Sequence, residues 1–425
     1  MKINTRTLTY EEVLKLPRLK RQKPLKPSRL LATVVRIASA PTFRKIDFSY
    51  TTERMELVKG QPCLILMNHS SFTDMKLAYA IFYPMRFGIV SSVDGMTGIL
   101  GKLMRLLGCT PTHKYVADLS LVHDIRYMLK VNKTSVLMYP EAGYSFDGRA
   151  TALPRKLGVL MKHLGVPVVT VITQGAFARD PLYNMLQLRN VKVSAHVKCL
   201  ATAEEIREKS VAELDALLDE AFSFDNFAWQ RDHRIAVTEP FRADGLHRIL
   251  YKCPHCGAEG RMEGKGILLT CHACNKQWEM DEYGQLLACD GETEYPHIPD
   301  WYRWQRDCVR EELEKGTYRL DEEVDIAVQV NLNGICKIGT GRLIHDFNGF
   351  HLTSTDGKLD YVQPPTAYHT LYADYYCYEF GDMIGIGNNE FSYFCFPKPH
   401  VSVTKARLAT EELYKMKKAR RKKVE

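Results

Sequence analysis

Between residues 60 and 200 the chain alternates short apolar runs with longer stretches of helical period, and few folds accommodate that alternation. Cys63-Leu64-Ile65-Leu66-Met67 reads as a buried strand and residues 75–83 as a helix. Arg86 to Val90 is a second strand, followed by a helix over 95–106. Asp118 leads a helix with Leu121, Ile125, Met128 and Leu129 on one face. Ser135 to Tyr139 is a strand, 153–164 a helix, and Val166 to Ile172 another buried strand. Strands separated by helices predict an α/β sheet with helices covering its faces. Residues 203–221 are helical, Asp225 to Gln230 close this domain, and Asp232 to Leu250 connect it to the next.

The first apolar run ends in Asn68-His69-Ser70-Ser71-Phe72-Thr73-Asp74. A turn after the strand can bring the Asp74 carboxylate back onto the His69 imidazole. Asp74 then holds Nδ1–H and leaves Nε2 as a general base. A substrate that brings its own hydroxyl needs no Ser or Cys nucleophile. Spacing alone is cheap, since His113 and Asp118 repeat it, and an ordinary turn histidine is the plain alternative. A second strand, 135–139, runs into Tyr139-Pro140-Glu141-Ala142-Gly143-Tyr144-Ser145. Ligands gather where the strands of such sheets end, so two polar turns can converge on one pocket. Glu141 either orients an acceptor hydroxyl or supports its turn by accepting backbone N–H groups. A carboxylate at a helix N-terminus is its plain alternative.

Asn68, His69 and Asp74, then Tyr139 to Ser145, then Gly165-Val166-Pro167-Val168-Val169, resemble the glycerolipid acyltransferase family in order and spacing. The matching family motifs are Asn-His-x4-Asp, Phe-Pro-Glu-Gly-Thr-Arg-Ser and a Pro-containing strand. Gly108 to Lys114 stands loosely in the place of a further block. The resemblance covers roughly residues 45–230. It implies a catalytic dyad with His69 as base and Asp74 as its orienting partner, and Glu141 positioning the acceptor. It implies an acyl thioester donor, either acyl-CoA or acyl-carrier protein, with no acyl-enzyme intermediate. The implied acceptor is a lysophospholipid, in phospholipid biosynthesis or remodelling. One departure matters: the family's Thr-Arg pair is Gly143-Tyr144 here. That Arg is thought to grip the acceptor's phosphate, which a guanidinium fork suits better than a phenol. Either Lys114, Arg149 or Lys156 takes over, or the acceptor is not lysophosphatidic acid.

Cys253-Pro254-His255-Cys256 and Cys271-His272-Ala273-Cys274 form two Cys-x2-Cys knuckles. Four thiolates make a closed tetrahedral site suited to structural Zn²⁺, with an iron centre as the competitor. Gly266 to Thr270 and Lys276 to Trp278 read as hairpin strands, and the whole resembles a zinc ribbon. Ribbons can bind nucleic acid, but Glu259, Glu263, Glu279, Asp281 and Glu282 offset this one's basic residues. That favours a stabilising or docking module.

Beyond the ribbon, Asp300 caps a helix through Trp301, Trp304 and Leu313. After about residue 322 the pattern turns to strands, with turn signals at Asn348-Gly349, Asp356-Gly357 and Asn388-Asn389. A helix from about 401 runs into Lys417-Lys418-Ala419-Arg420-Arg421-Lys422-Lys423. A strand-rich module closed by one helix resembles a pleckstrin-homology-type barrel in architecture. The net charge of +8 is concentrated at the two ends, about +10 over residues 1–45 and about +6 over 414–425. Residues 1–27 read as a basic arm, and 28–40 as an amphipathic helix capped by Ser28. Basic ends and an amphipathic helix suit an anionic membrane surface, with nucleic acid the weaker partner. No apolar run approaches the ~18 residues of a membrane span, and no signal peptide is visible. Twelve cysteines, eight of them scattered, suggest a reducing compartment. The expectation is a cytoplasmic protein held peripherally at the membrane. Its segments are an arm (1–44), an acyltransferase domain (45–235), a linker (236–249), a zinc ribbon (250–285), a helical connector (286–319), a β-rich domain (320–413) and a basic tail (414–425). A lipid-binding protein without turnover and a nucleic-acid-binding ribbon protein are the alternatives.

Overall fold

The computed structural model describes residues 3–114, 118–151, 153–154 and 157–424. After a short strand β1 (Thr5–Thr7) come seven strands of one sheet: β2 (Ser49–Glu53), β3 (Leu64–Met67), β4 (Phe87–Ser92), β5 (Cys109–Thr112), β6 (Ser135–Met138), β7 (Val168–Gln174) and β8 (Ser194–Ala201). Their order is β2-β8-β7-β3-β6-β4-β5, and only the β7–β8 pairing is antiparallel. All four residues of β3 are buried. Helices cover both faces, which is why β3 reads as a continuous apolar run instead of an alternation. Ile65, Met67 and Leu137 face one layer with Leu77 and Ile81 of the helix Asp74–Phe82. Leu64, Leu66 and Val136 face the other with Ile125, Met128 and Met161. β3 and β6 are direct neighbours, with Leu66 opposite Met138. Their following turns, 68–74 and 139–145, therefore leave the sheet side by side.

Three strands of this sheet are not apparent from the sequence. β2 is an exposed polar edge, β5 is a four-residue edge containing Pro111, and β8 alternates without a strong apolar run. The stretch 203–221 is two helices, Ala203–Glu208 and Val211–Ala221. Each has its own capping box, Thr202 with Glu205 and Ser210 with Glu213.

The ribbon is a four-stranded antiparallel sheet of β9 (Met262–Lys265), β10 (Leu268–Cys271), β11 (Gln277–Met280) and β12 (Leu286–Ala288). β12 comes from residues expected in the helical connector, whose helix starts at Ile298 and ends at Lys315. The β-rich part holds β13 (Leu320–Gln329), β14 (Ile335–Asp346), β15 (Gly349–Ser354), β16 (Asp360–Gln363), β17 (Tyr372–Cys377), β18 (Gly381–Gly387) and β19 (Ser392–Pro397). Their order is β16-β15-β14-β13-β19-β18-β17, with β1 added in parallel to β14.

Two expectations need correction. The first 27 residues are not a free arm along their described length. β1 joins the C-terminal sheet, and the capped helix Tyr10–Lys15 buries Tyr10 and Val13 there. A six-residue helix is too short to show its period against a basic background. Nor is 236–249 a loose linker, because Val237, Leu246 and Ile249 are buried. The last helix, Val403–Val424, carries the basic tail as its own continuation. From Ala406 to Leu413 every residue is buried, so two full turns run through the interior. No described helix is long and apolar enough to cross a membrane.

Candidate active site and metal centre

The turn after β3 folds back as the spacing predicts. His69 Nδ1 lies 2.9 Å from Asp74 Oδ2. The same oxygen accepts the backbone N–H of Ser70 and Ser71, at 2.9 and 3.1 Å. Because that carboxylate oxygen only accepts, the imidazole proton sits on Nδ1 and Nε2 is the basic nitrogen. Asn68 anchors the turn: its Oδ1 accepts both the N–H and the hydroxyl of Thr173 at the end of β7, at 2.8 and 3.0 Å. The turn after β6 closes from the other side. Glu141 accepts the His69 N–H at 3.2 Å and the Thr151 N–H at 2.9 Å, and Ser145 N–H donates to the His69 carbonyl. The imidazole lies between two rings, with centroids 4.0 Å from Tyr139 and 3.9 Å from Tyr144. Phe72 stacks on the outer face of Tyr144.

Burial lowers the His69 pKa below its ordinary value; Asp74 opposes this and the Lys114 charge adds to it. The group is therefore a neutral base near pH 7. Burial also pushes Glu141 up to about 7, against the backbone N–H groups of Thr151 and His69. His69, Asp74 and Tyr144 face a cavity of about 820 Å³. Leu31, Val34 and Val35 line it together with Leu100, Leu103 and Met104, as do Tyr372, Asp374 and Tyr378 from the C-terminal sheet and the turn after its strand β17.

The acyltransferase family model matches residues 49–174, which span both turns. The matched segment is similar to acyltransferases. No curated protein matches the sequence. Among solved structures, the 1-acyl-sn-glycerophosphate (LPA) acyltransferase PlsC from Thermotoga maritima is similar at 16% identity, over 45% of this chain and 76% of that one, with a TM-score of 0.36.

The remaining sequence candidates scatter around the His69 cavity. Gly143 sits in open space between Ala142 and Tyr144. Lys114 lines the cavity, its ammonium 3.6 Å from the centre of the Tyr372 ring. Arg149 does not line that cavity; it pairs with Asp225 at 3.6 Å and faces a second hollow. Lys156 lies outside the described residues. The second His-x4-Asp behaves differently from the first. Asp118 caps the helix Leu119–Lys130, and His113 Nδ1 is buried without a hydrogen-bond partner among the described residues.

Two further residues of the site give no sign in the sequence. Arg407, deep in the last helix, donates to the Tyr144 carbonyl at 3.2 Å and to Thr151 Oγ1 at 2.6 Å. Asp94 accepts the hydroxyls of Tyr372 and Tyr378, both at 2.8 Å. Nothing local marks these residues, because their partners lie more than 250 positions away.

The Sγ atoms of Cys253, Cys256, Cys271 and Cys274 lie within 4.8 Å of one another. The pairs Cys253–Cys274 and Cys256–Cys271 are both 3.8 Å apart. A tetrahedron with metal–sulfur bonds of about 2.3 Å has edges of about 3.8 Å, so the four thiolates fit one metal ion. The ribbon is braced from inside: Trp278 on β11 packs edge-to-face on Trp301 at 5.0 Å, joining ribbon to connector helix.

Proposed function

We propose that this protein transfers a fatty acyl group from a thioester donor to the hydroxyl of a lysophospholipid-like acceptor. The observation that carries the proposal is the His69–Asp74 hydrogen bond of 2.9 Å at the wall of a large, mostly apolar cavity. The acceptor hydroxyl gives its proton to His69 Nε2 as its oxygen attacks the thioester carbonyl. The imidazolium, steadied by Asp74, returns that proton to the departing thiolate as the carbon–sulfur bond breaks. No covalent enzyme intermediate is required. Either acyl-CoA or acyl-carrier protein satisfies this chemistry as donor. Glu141 acts through its two backbone bonds, fixing the histidine against the second turn. The four-cysteine group holds zinc in a structural role, since four thiolates leave no position open for substrate.

Peripheral contact with an anionic bilayer fits the cavity's apolar lining. Leu30 and Ile37 of the helix Arg29–Lys45, and Ile99 and Leu106 of the helix Gly98–Leu106, are exposed. Ser28 N–H joins the two helices by donating to the Leu106 carbonyl. Arg29, Arg36 and Lys102 flank these side chains, the pattern of a helix lying in a headgroup layer.

The test is an assay with a labelled long-chain thioester and lysolipids in anionic vesicles. Wild type should transfer the chain, and His69→Ala should abolish transfer while secondary structure and metal content persist. A fully active His69→Ala protein would overturn the mechanism. Lipid binding without transfer from either donor type would make the protein a carrier.

A further inference from the structure

One wall of the His69 cavity is built by the C-terminal sheet, and its chemistry is unlike that of a phosphate site. Asp94 and Lys114 of the sheet domain meet Tyr372, Asp374, Tyr378 and Glu379 there. The described cavity wall carries five carboxyl side chains and a single ammonium, that of Lys114; Asp74 is bonded to His69 and Asp118 caps a helix, which leaves Asp94, Asp374 and Glu379 on the side of the C-terminal sheet. That ammonium is already engaged. It sits 3.6 Å from the Tyr372 ring centre; its charge helps to hold Asp94 below the usual carboxylate range, while burial outweighs it at Asp374 and pushes that carboxyl up to about 7. The wall thus already holds one cation of the chain in a setting of ring face and carboxylate, the environment that stabilises ammonium groups.

The turn that presents these groups is costly. Tyr376, Tyr378 and Glu379 hold φ angles of +52°, +51° and +70°, and the β17–β18 register slips between Asp374 and Cys377. Left-handed backbone at bulky residues costs about 1–3 kcal/mol each. Such a turn joins two strands at a penalty, while aiming acidic and phenolic side chains into the cavity.

We propose that this wall receives the ammonium group of a monoacyl acceptor, such as a zwitterionic amino-phosphodiester lysolipid, and disfavours a terminal phosphomonoester. The proposal rests on the acyltransferase function for the identity of the reaction, but its binding component stands apart from turnover. A phosphomonoester brings about −1.5 to −2 charges to a wall of carboxylates, where like charges repel. An ammonium meets carboxylate and ring face at once. The same geometry makes the β-rich domain the carrier of selectivity for the acceptor, while the sheet domain carries the chemistry.

The test uses the full-length, zinc-loaded protein and two single-chain probes below their micelle concentrations, dodecylammonium and dodecyl phosphate, in titration calorimetry. Dodecylammonium should bind about tenfold or more tightly than dodecyl phosphate, a difference of about 1.4 kcal/mol or more. Asp374→Asn should erase most of that preference without weakening dodecyl phosphate. Glu379→Gln, on the exposed turn, serves the same purpose if the first variant does not fold. Equal or tighter binding of the phosphate probe, or a preference untouched by both variants, overturns the proposal. A turnover panel separates it from the reaction itself. Transfer mainly to lysophosphatidate overturns the ammonium proposal and keeps the acyltransferase. Ammonium-selective binding with no transfer to any acceptor removes the acyltransferase and keeps the site.

Discussion

Opposing influences meet at His69: burial and Lys114 lower its pKa and Asp74 raises it, with the lowering dominant. In the proposed mechanism the base is the neutral imidazole, so kcat/KM should be flat at neutral pH and fall as pH drops through a value under 6.5. Asp74→Asn removes the one group holding that value up. The acid limb should then move to still lower pH, and the plateau should drop by about 10²–10⁴-fold; a pH–rate profile of both proteins checks both. Glu141→Gln is a milder but distinct change. An amide can accept from only one of the two N–H groups that the carboxylate now holds, and its NH₂ faces the other. Losing that bond should cost about 1–3 kcal/mol in denaturant melts, together with a fall in kcat. The dyad was legible in the sequence because its partners are five residues apart and follow an apolar strand. Asp94, Asp374 and Arg407 were not, because a folded sheet has to bring them to the cavity or to the turns behind it.

At the level of elements, the last helix departs most from its sequence. Its end is strongly basic, and that charge hid two buried turns upstream. There Glu411 is ringed by Arg306 at 2.7 Å and Arg407 at 3.3 Å. Burial pushes the Glu411 carboxyl up, yet the two guanidinium groups bring it down to about 2. A lowered carboxyl stabilises the fold above its unfolded value of about 4.5 and ceases to do so as pH falls toward 2. Arg407→Ala should cost about 3–5 kcal/mol, since it leaves a buried carboxylate with half its compensation. It should also slow transfer, because the Tyr144 carbonyl loses its donor. Arg407→Lys should restore part of the stability, with less of the rate, as one ammonium cannot reach both Tyr144 and Thr151. Denaturant midpoints and kcat for the two variants distinguish these outcomes. The strands that the sequence did announce, β3, β4, β6 and β7, are all buried at the centre of the sheet. Those it did not announce lie at or near its edges, where pattern is weakest.

Over the whole molecule, one apolar cluster reaches every part, while the two faces of the sheet domain keep clusters of their own. It includes Phe146 and Phe177 of the sheet domain, Leu269 and Trp278 of the ribbon, Trp301 of the connector helix, Val324 and Leu352 of the β-rich sheet, and Leu408 of the last helix. Segments that look like beads on a string in the sequence share this interior, and composition cannot reveal shared burial. Thermal unfolding should therefore be a single transition. Stripping the metal with a chelator, or Cys271→Ser, should lower the midpoint for the entire chain, sheet domain included. Two separated transitions in calorimetry would show the ribbon to be independent. The anchoring of the Tyr144 carbonyl by a residue 263 positions further on also has a meaning in time. A ribosome adds ~5–20 residues per second, so Arg407 is made on the order of 10–50 s after the turn it supports. A nascent chain can have its central strands and both dyad residues translated and still lack the strut behind them. Synthesis order thereby delays completion of the site until the last helix has been made.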